Sequence, residues 1–190
     1  MFAAYLQDLK ATLDAIECTS KKGSLTVTSA IQEIVSRIGK LRDEGKTMFW
    51  IGNGGSAAIA VHSTLDYFRT GNIKTQAFYD GPMMTCLGND FGYQTVFQKP
   101  VELFANPGDM LFAISSSGKS ENILNAVEAA QKKQCYIVTL SGFGADNPLR
   151  ALGDINFYVP QNHYGYVELT HGVLCHSFLD LYMAKLNGGN

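Results

Sequence analysis

The stretch that decides the fold is Trp50-Ile51-Gly52-Asn53-Gly54-Gly55-Ser56-Ala57-Ala58-Ile59-Ala60-Val61-His62-Ser63-Thr64-Leu65-Asp66. An apolar run stops at glycines, and a helical pattern starts directly after them. Residues 47–51 are short, apolar and suited to a buried strand, whereas the chain from Ala57 contains neither glycine nor proline until Gly71. The order is therefore strand, glycine turn, helix start. Glycines allow close backbone approach to a ligand. The unpaired N–H groups of the first helical turn, with Ser56 as the expected cap, favour an anion such as phosphate. A tight turn that binds nothing has the same local pattern.

A second loop favours the ligand. Ile114-Ser115-Ser116-Ser117-Gly118-Lys119-Ser120-Glu121-Asn122 follows the apolar run 110–114 and precedes the helical pattern of Ile123, Leu124, Val127 and Ala130. It offers four serine hydroxyls and another helix N-terminus. Neither loop fits a nucleotide signature: Ala113 stands where the first glycine of G-x-x-x-x-G-K-[ST] belongs, and G-x-G-x-x-G is absent from both. A nucleotide is not implied. A third loop, residues 87–93, has two glycines around a polar pair and fits either a plain turn or another wall of the same site.

From Thr47 onward, strand-like and helix-like pieces alternate. Strands are expected at 47–51, 75–79, 110–115, 135–140 and 155–159. Helices are expected at 57–69, 121–132 and 166–186, with helical turns within 82–104 and a frayed tail at 188–190. Ahead of them, Phe2, Tyr5, Leu6, Leu9, Leu13 and Ile16 predict one amphipathic helix. Residues 19–24 break the pattern, and Ile31, Ile34, Val35, Ile38 and Leu41 predict a second helix ending near Gly45. The first helix is suited to packing on its own domain or on a neighbouring subunit. The whole predicts an α/β protein: a three-layer α/β/α sandwich on a mostly parallel five-stranded sheet. It forms one domain over residues 1–190, with an N-terminal helical segment at 1–45. In such sheets ligands bind beyond the carboxyl ends of the strands, where both serine and glycine loops fall.

Composition narrows the partners. With 15 basic and 17 acidic residues the net charge is −2, and no basic run exceeds Lys21-Lys22 or Lys132-Lys133. That leaves no electrostatic case for nucleic acid. Cys18, Cys86, Cys135 and Cys175 form no C-x-x-C pair and suit reduced thiols, which points to the cytoplasm. No signal-like segment is present, and no apolar stretch approaches the roughly 18 to 20 residues of a membrane span.

Gly52-Asn53-Gly54-Gly55-Ser56, Gly88-Asn89-Asp90-Phe91-Gly92 and Ser115-Ser116-Ser117-Gly118-Lys119-Ser120, in that order and spacing, resemble a sugar isomerase (SIS) domain. The resemblance covers nearly the whole chain and is closest to the phosphoheptose isomerase family. The final helix favours that group: Glu168 to His176 is similar to the family's Gln-x-x-His-x-x-x-x-His segment, with Glu168 in place of Gln. The resemblance implies a divalent-metal site, zinc first among the candidates, at His62, Asp66, Glu168 and His176. Asp66 stands where the family has Glu. It implies proton transfer by Asp66 and His176, and phosphate binding by Gly54, Ser56, Ser115, Ser116, Ser117 and Ser120, with Lys119 either adding charge or facing solvent. Asn53, Asn89 and Asp90 would hold sugar hydroxyls. Gly165 replaces a polar residue of the family, so far hydroxyls would be recognised differently. A homotetramer with sites at subunit interfaces is also implied.

Spacing supports the metal grouping separately. His62 and Asp66, four apart, share a helical face. Glu168 and His176, eight apart, are separated by about 80° around theirs at 3.6 residues per turn. His171 and His176 are about 140° apart, too far around the helix to reach one ion together. Imidazole and carboxylate suit zinc, with iron, manganese, cobalt or nickel as alternatives. His62 bonded within the core, with Asp66 merely supporting its helix, would be the metal-free arrangement. His163 falls in a polar loop and is expected at the surface.

The implied activity is metal-assisted aldose–ketose isomerisation of a phosphosugar, sedoheptulose 7-phosphate above all, through an enediol. Asp66 reaches less far than Glu by roughly 1.5 Å per bond. The alternatives are a non-catalytic SIS adaptor of the replication-initiator-binding type, or an isomerase of another ketose phosphate.

Overall fold

The protein was analysed as a computed structural model that describes residues 1–188. Its sheet has seven strands, β1 (Glu17–Ser20), β2 (Gly23–Leu25), β3 (Thr47–Gly52), β4 (Lys74–Ala77), β5 (Met110–Ser115), β6 (Tyr136–Gly142) and β7 (Ile155–Val159). The helices are α1 (Phe2–Asp14), α2 (Val27–Asp43), α3 (Gly55–Arg69), α4 (Gly81–Phe91), α5 (Gln98–Phe104), α6 (Glu121–Lys132) and α7 (Tyr164–Leu186). Spatial order is β2-β1-β7-β6-β5-β3-β4. The five expected strands run parallel.

The expectation of a five-stranded sheet is corrected by the β1–β2 hairpin. β1 pairs antiparallel with β7, setting Cys18 opposite Phe157. The segment is too short and polar to show an apolar alternation, and only Cys18 of β1 is buried. Ser20 Oγ accepts the Lys22 N–H at 3.1 Å, and Gly23, at φ +119°, closes the turn. Short length and exposed lysines finish this edge of the sheet. The remaining two residues of the expected tail, 189 and 190, lie outside the described residues.

Two cores sandwich the sheet. On one face Ile34, Ile38 and Leu41 of α2, Ala60 and Tyr67 of α3, and Leu174, Phe178 and Tyr182 of α7 pack on Trp50, Phe112, Leu140 and Phe157. Trp50 stacks on Phe112 with centroids 4.1 Å apart. On the other face Ile123, Ala126, Val127 and Ala130 of α6 and Val101 of α5 cover Phe49, Leu111 and Ile137. Each large side chain so buried contributes about 1.5–3 kcal/mol. α2 starts where Thr26 accepts the Ser29 N–H at 3.1 Å and ends before Gly45, whose φ is +62°.

Strand order makes the site. From β3 the chain crosses outward to β4, then returns to the other side of β3 to lay down β5, β6 and β7. The switch point thus falls between β3 and β5, and the loops leaving these two strands flank one crevice at their carboxyl ends. α1 buries only Thr12 and leaves Phe2 and Leu6 exposed, while its Tyr5 stacks on Tyr166 of α7. No described helix is long and apolar enough to cross a membrane.

Candidate active site

The crevice contains a cavity of about 270 Å³ lined by Asn53, Gly54, Gly55, Ser56, Ser115, Ser116, Ser117, Ser120, Tyr164 and Glu168. Its floor depends on glycine. A Cβ on Gly52 would stand 2.7 Å from the Ser56 backbone, and Gly54, at φ +54° and ψ −122°, is where the chain turns into α3. Gly54 is therefore the N-cap, which corrects the expectation that Ser56 caps this helix. Ser56 lies inside the first turn and is buried. Neither α3 nor α6 has a side-chain cap; the Ala57 and Ile123 N–H groups turn back to the Gly54 and Ser120 carbonyls, which leaves those of Gly55, Ser56, Glu121 and Asn122 at the two helix starts for a ligand. Ser116 Oγ is buried, lines the cavity and has no hydrogen-bond partner. A buried hydroxyl of that kind marks a place for an acceptor. The exposed Lys119 does not line the cavity.

Several residues that sequence reasoning passed over brace the two loops. Asn53 and Asn122 exchange amide hydrogen bonds of 2.9 Å in both directions, and Tyr93 Oη donates to Asn53 Oδ1 at 3.1 Å. Tyr79 Oη takes the Gly52 N–H at 2.7 Å and donates to the Gly52 carbonyl at 2.8 Å. Gly118, at φ +62°, faces the Asn147 side chain so closely that any Cβ would collide with Asn147 Oδ1. Asn147 is itself held by the Gly142 and Gly144 carbonyls. A polar residue in a first helical turn or after a strand carries no sign of such pairing in sequence.

The third glycine loop is the last turn of α4, closed by Gly92 at φ +86°. Asn89 and Asp90 are exposed on it, bonded to each other at 2.9 Å, and neither lines the cavity.

Beside the cavity, α3 and α7 are locked together by Tyr67, whose buried hydroxyl donates to the Cys175 carbonyl at 3.1 Å. Burial drives the Tyr67 pKa well up, so it stays neutral. The neighbouring residues then meet at the surface. Asp66 Oδ2 is 3.0 Å from His62 Nε2 and 3.6 Å from His176 Nδ1, and the three groups offer ligand atoms within 4.8 Å of one another. Two imidazoles and one carboxylate, partly exposed, fit a divalent ion such as zinc with a coordination position left open. Glu168 lies outside this cluster. Its carboxylate rests against Gly55, in the wall of the serine-lined cavity. Eight residues of helix place it about 12 Å along the axis from His176, a separation that the shared angular face conceals. Glu168 and His176 both border a wider groove of about 760 Å³ that continues from the cavity.

His171 points the other way, as its angular offset from His176 requires. It is buried, with Nε2 3.2 Å from the Ser141 carbonyl, and burial lowers its pKa to about 4. His163 is exposed at the start of α7.

The arrangement sets a serine- and glycine-lined cavity at two helix starts beside a histidine–aspartate cluster of metal-ligand type. Comparison with known proteins agrees. The SIS domain family model matches residues 4–142. The chain is 30% identical to the phosphoheptose isomerase of Syntrophotalea carbinolica, covering 96% of this chain and 92% of that one. It is 36% identical to that of Helicobacter hepaticus, covering 82% of each. The solved phosphoheptose isomerase of Neisseria gonorrhoeae superposes with a TM-score of 0.79 at 29% identity, over 95% of this chain and 96% of that one. With its loops, its fold and its full-length likeness in accord, the chain belongs to the SIS-domain phosphoheptose isomerase family, a family of phosphosugar isomerases.

Proposed function

We propose that the protein converts sedoheptulose 7-phosphate to D-glycero-D-manno-heptose 7-phosphate through an enediol, with help from a divalent metal, zinc first. The carrying observation is the His62–Asp66–His176 cluster beside a serine-lined oxyanion cavity. The phosphate belongs in the cavity, on Gly54, Ser56, Ser115, Ser116, Ser117 and Ser120. The carbonyl end belongs at the cluster. Asp66 takes a proton from C1, the C–H pair becomes the C=C of the enediol, and His176 supplies a proton to the carbonyl oxygen. Return of a proton to C2, with removal of the one on O1, completes the aldose. His62, Asp66 and His176 would hold the metal, whose positive charge lowers the cost of the negative oxygen that develops in this step. Glu168, in the cavity wall, is assigned to the substrate. Asn53 faces it with one free N–H. Asn89 and Asp90 remain candidates for the distal hydroxyls.

Val61 and Leu65, which flank His62 and Asp66 on α3, and Leu169 and Val173 of α7, which line the groove beside the site, are exposed. Apolar surface of this extent supports a homotetramer in which neighbouring copies complete the pocket. Unpaired cysteines support a cytoplasmic setting. Turnover of a panel of five- to seven-carbon ketose phosphates, with and without chelator, tests the reading. Fastest conversion of the seven-carbon ketose, abolished by chelator, is expected; chelator-resistant turnover or preference for a shorter sugar would refute it.

A further inference from the structure

His62 and Asp66 both stand on α3, so one helix fixes their spacing. His176 comes from α7, and whether it joins them depends on how α7 lies along α3. A slip of one residue is a shift of about 1.5 Å and a turn of about 100°. The short Asp66 side chain, 3.0 Å from His62 and 3.6 Å from His176, has little reach with which to absorb such a slip. The apolar packing of Ala60 of α3 with Leu174 and Phe178 of α7 is non-directional and sets no register by itself.

A polar contact directly behind the cluster does. Tyr67 follows Asp66, Cys175 precedes His176, and Tyr67 Oη donates to the Cys175 carbonyl at 3.1 Å. Among the described residues it is the one side-chain-to-backbone hydrogen bond between α3 and α7. The two residues are only 1% and 2% exposed, so neither an ion at the surface nor a second copy of the chain comes between them. The acceptor is a backbone atom, which pins α7 itself and not a side-chain rotamer. The donor is held in turn, its ring packed edge-on against Trp50 with centroids 5.1 Å apart. Ser63, which follows His62, is buried against the Cys175 thiol. Each cluster residue of α3 is thus followed by one that meets Cys175.

We infer that Tyr67 is a positioning residue whose hydroxyl fixes the register of α7 on α3, so that His176 stands within metal-binding distance of His62 and Asp66. The inference deepens the reading above and rests on it for the role of the cluster.

Zinc affinity, measured by competition with a chromogenic chelator, and kinetics with sedoheptulose 7-phosphate at saturating zinc test this on the wild type, Tyr67→Phe and Tyr182→Phe. Tyr67→Phe removes the hydroxyl and keeps the ring, a loss too small to unfold the chain. Tyr182→Phe is the control: its hydroxyl is also buried on α7, but it accepts from Arg42 of α2 at 3.3 Å and stands outside the cluster. Tyr67→Phe should weaken zinc binding by at least about tenfold and lower kcat by about tenfold. Its KM should stay within about twofold, since the serine-lined cavity is untouched, and Tyr182→Phe should keep zinc affinity within about twofold of the wild type. Wild-type zinc affinity in Tyr67→Phe would overturn the inference, and so would an equal loss in both variants, which marks general loosening of the core. Zinc binding that weakens in Tyr67→Phe alone, with no turnover even in the wild type, would uphold the inference and count against the proposed function. A wild type that binds no zinc would overturn both.

Discussion

Asn53 and Asn122 are paired amide to amide, two hydrogen bonds of 2.9 Å joining the loop after β3 to the start of α6. Asn53 Oδ1 also accepts from Tyr93, so both its lone pairs are used and one N–H remains for a ligand. The two halves of the serine-lined cavity are thereby held at one spacing. Asn122→Ala removes both bonds and leaves a part-buried amide short of partners, at a cost of about 1–3 kcal/mol in urea unfolding. KM for the phosphosugar should rise more than kcat falls, since the variant disturbs a binding wall. Unchanged KM in a folded variant would show that the pair does not set the cavity.

Gly118 is required twice over, by its φ of +62° and by the Asn147 side chain opposite its α-carbon. Gly118→Ala costs about 1–2 kcal/mol for the backbone alone. Moving the serine loop by about 1 Å to clear Asn147 should lower kcat/KM on the order of 10²-fold. Steady-state kinetics with wild-type values for this variant would contradict the assigned role of the loop.

His171 links stability to pH. Burial depresses its pKa to about 4, the Ser141 carbonyl opposing weakly, against about 6.5 in the unfolded chain. Above pH 6.5 both states are neutral and the group exerts no pH dependence. As pH falls from 6.5 towards 4 the unfolded chain takes up the proton first, and stability drops by about 3 kcal/mol across that window. Denaturant midpoints between pH 7 and pH 4 should fall with this slope in the wild type and more gently in His171→Gln. A His171 imidazole resonance, assigned by its loss in His171→Gln, that titrates near 6.5 in the folded protein would refute the assignment.

Most of the fold was legible because parallel strands are buried on both faces and leave short apolar runs such as residues 110–115. The β1–β2 hairpin was not, since Glu17, Thr19 and Ser20 carry no alternation and owe their place to pairing with β7. The cap of α3 was misplaced because Gly54 does with an unusual backbone what Ser56 was expected to do with a hydroxyl. At the site, His62 and Asp66 follow from one helical face. Glu168 shows the limit of such counting: angle around a helix is visible in spacing, and so is the rise, yet only packing decides which neighbour a side chain meets. Asn122, Tyr79, Tyr93 and Asn147 gave no signal, because their partners are distant in the chain.

The central claim is that Asp66 serves both a metal and the moving proton. Zinc content and turnover of sedoheptulose 7-phosphate, measured on the same preparations of wild type and Asp66→Asn, test it most directly. The account predicts about one zinc per chain and measurable turnover in the wild type, with zinc reduced and turnover lowered by about 10²-fold or more in the variant. A wild type that turns over without metal, or an Asp66→Asn protein that matches it, would contradict the claim.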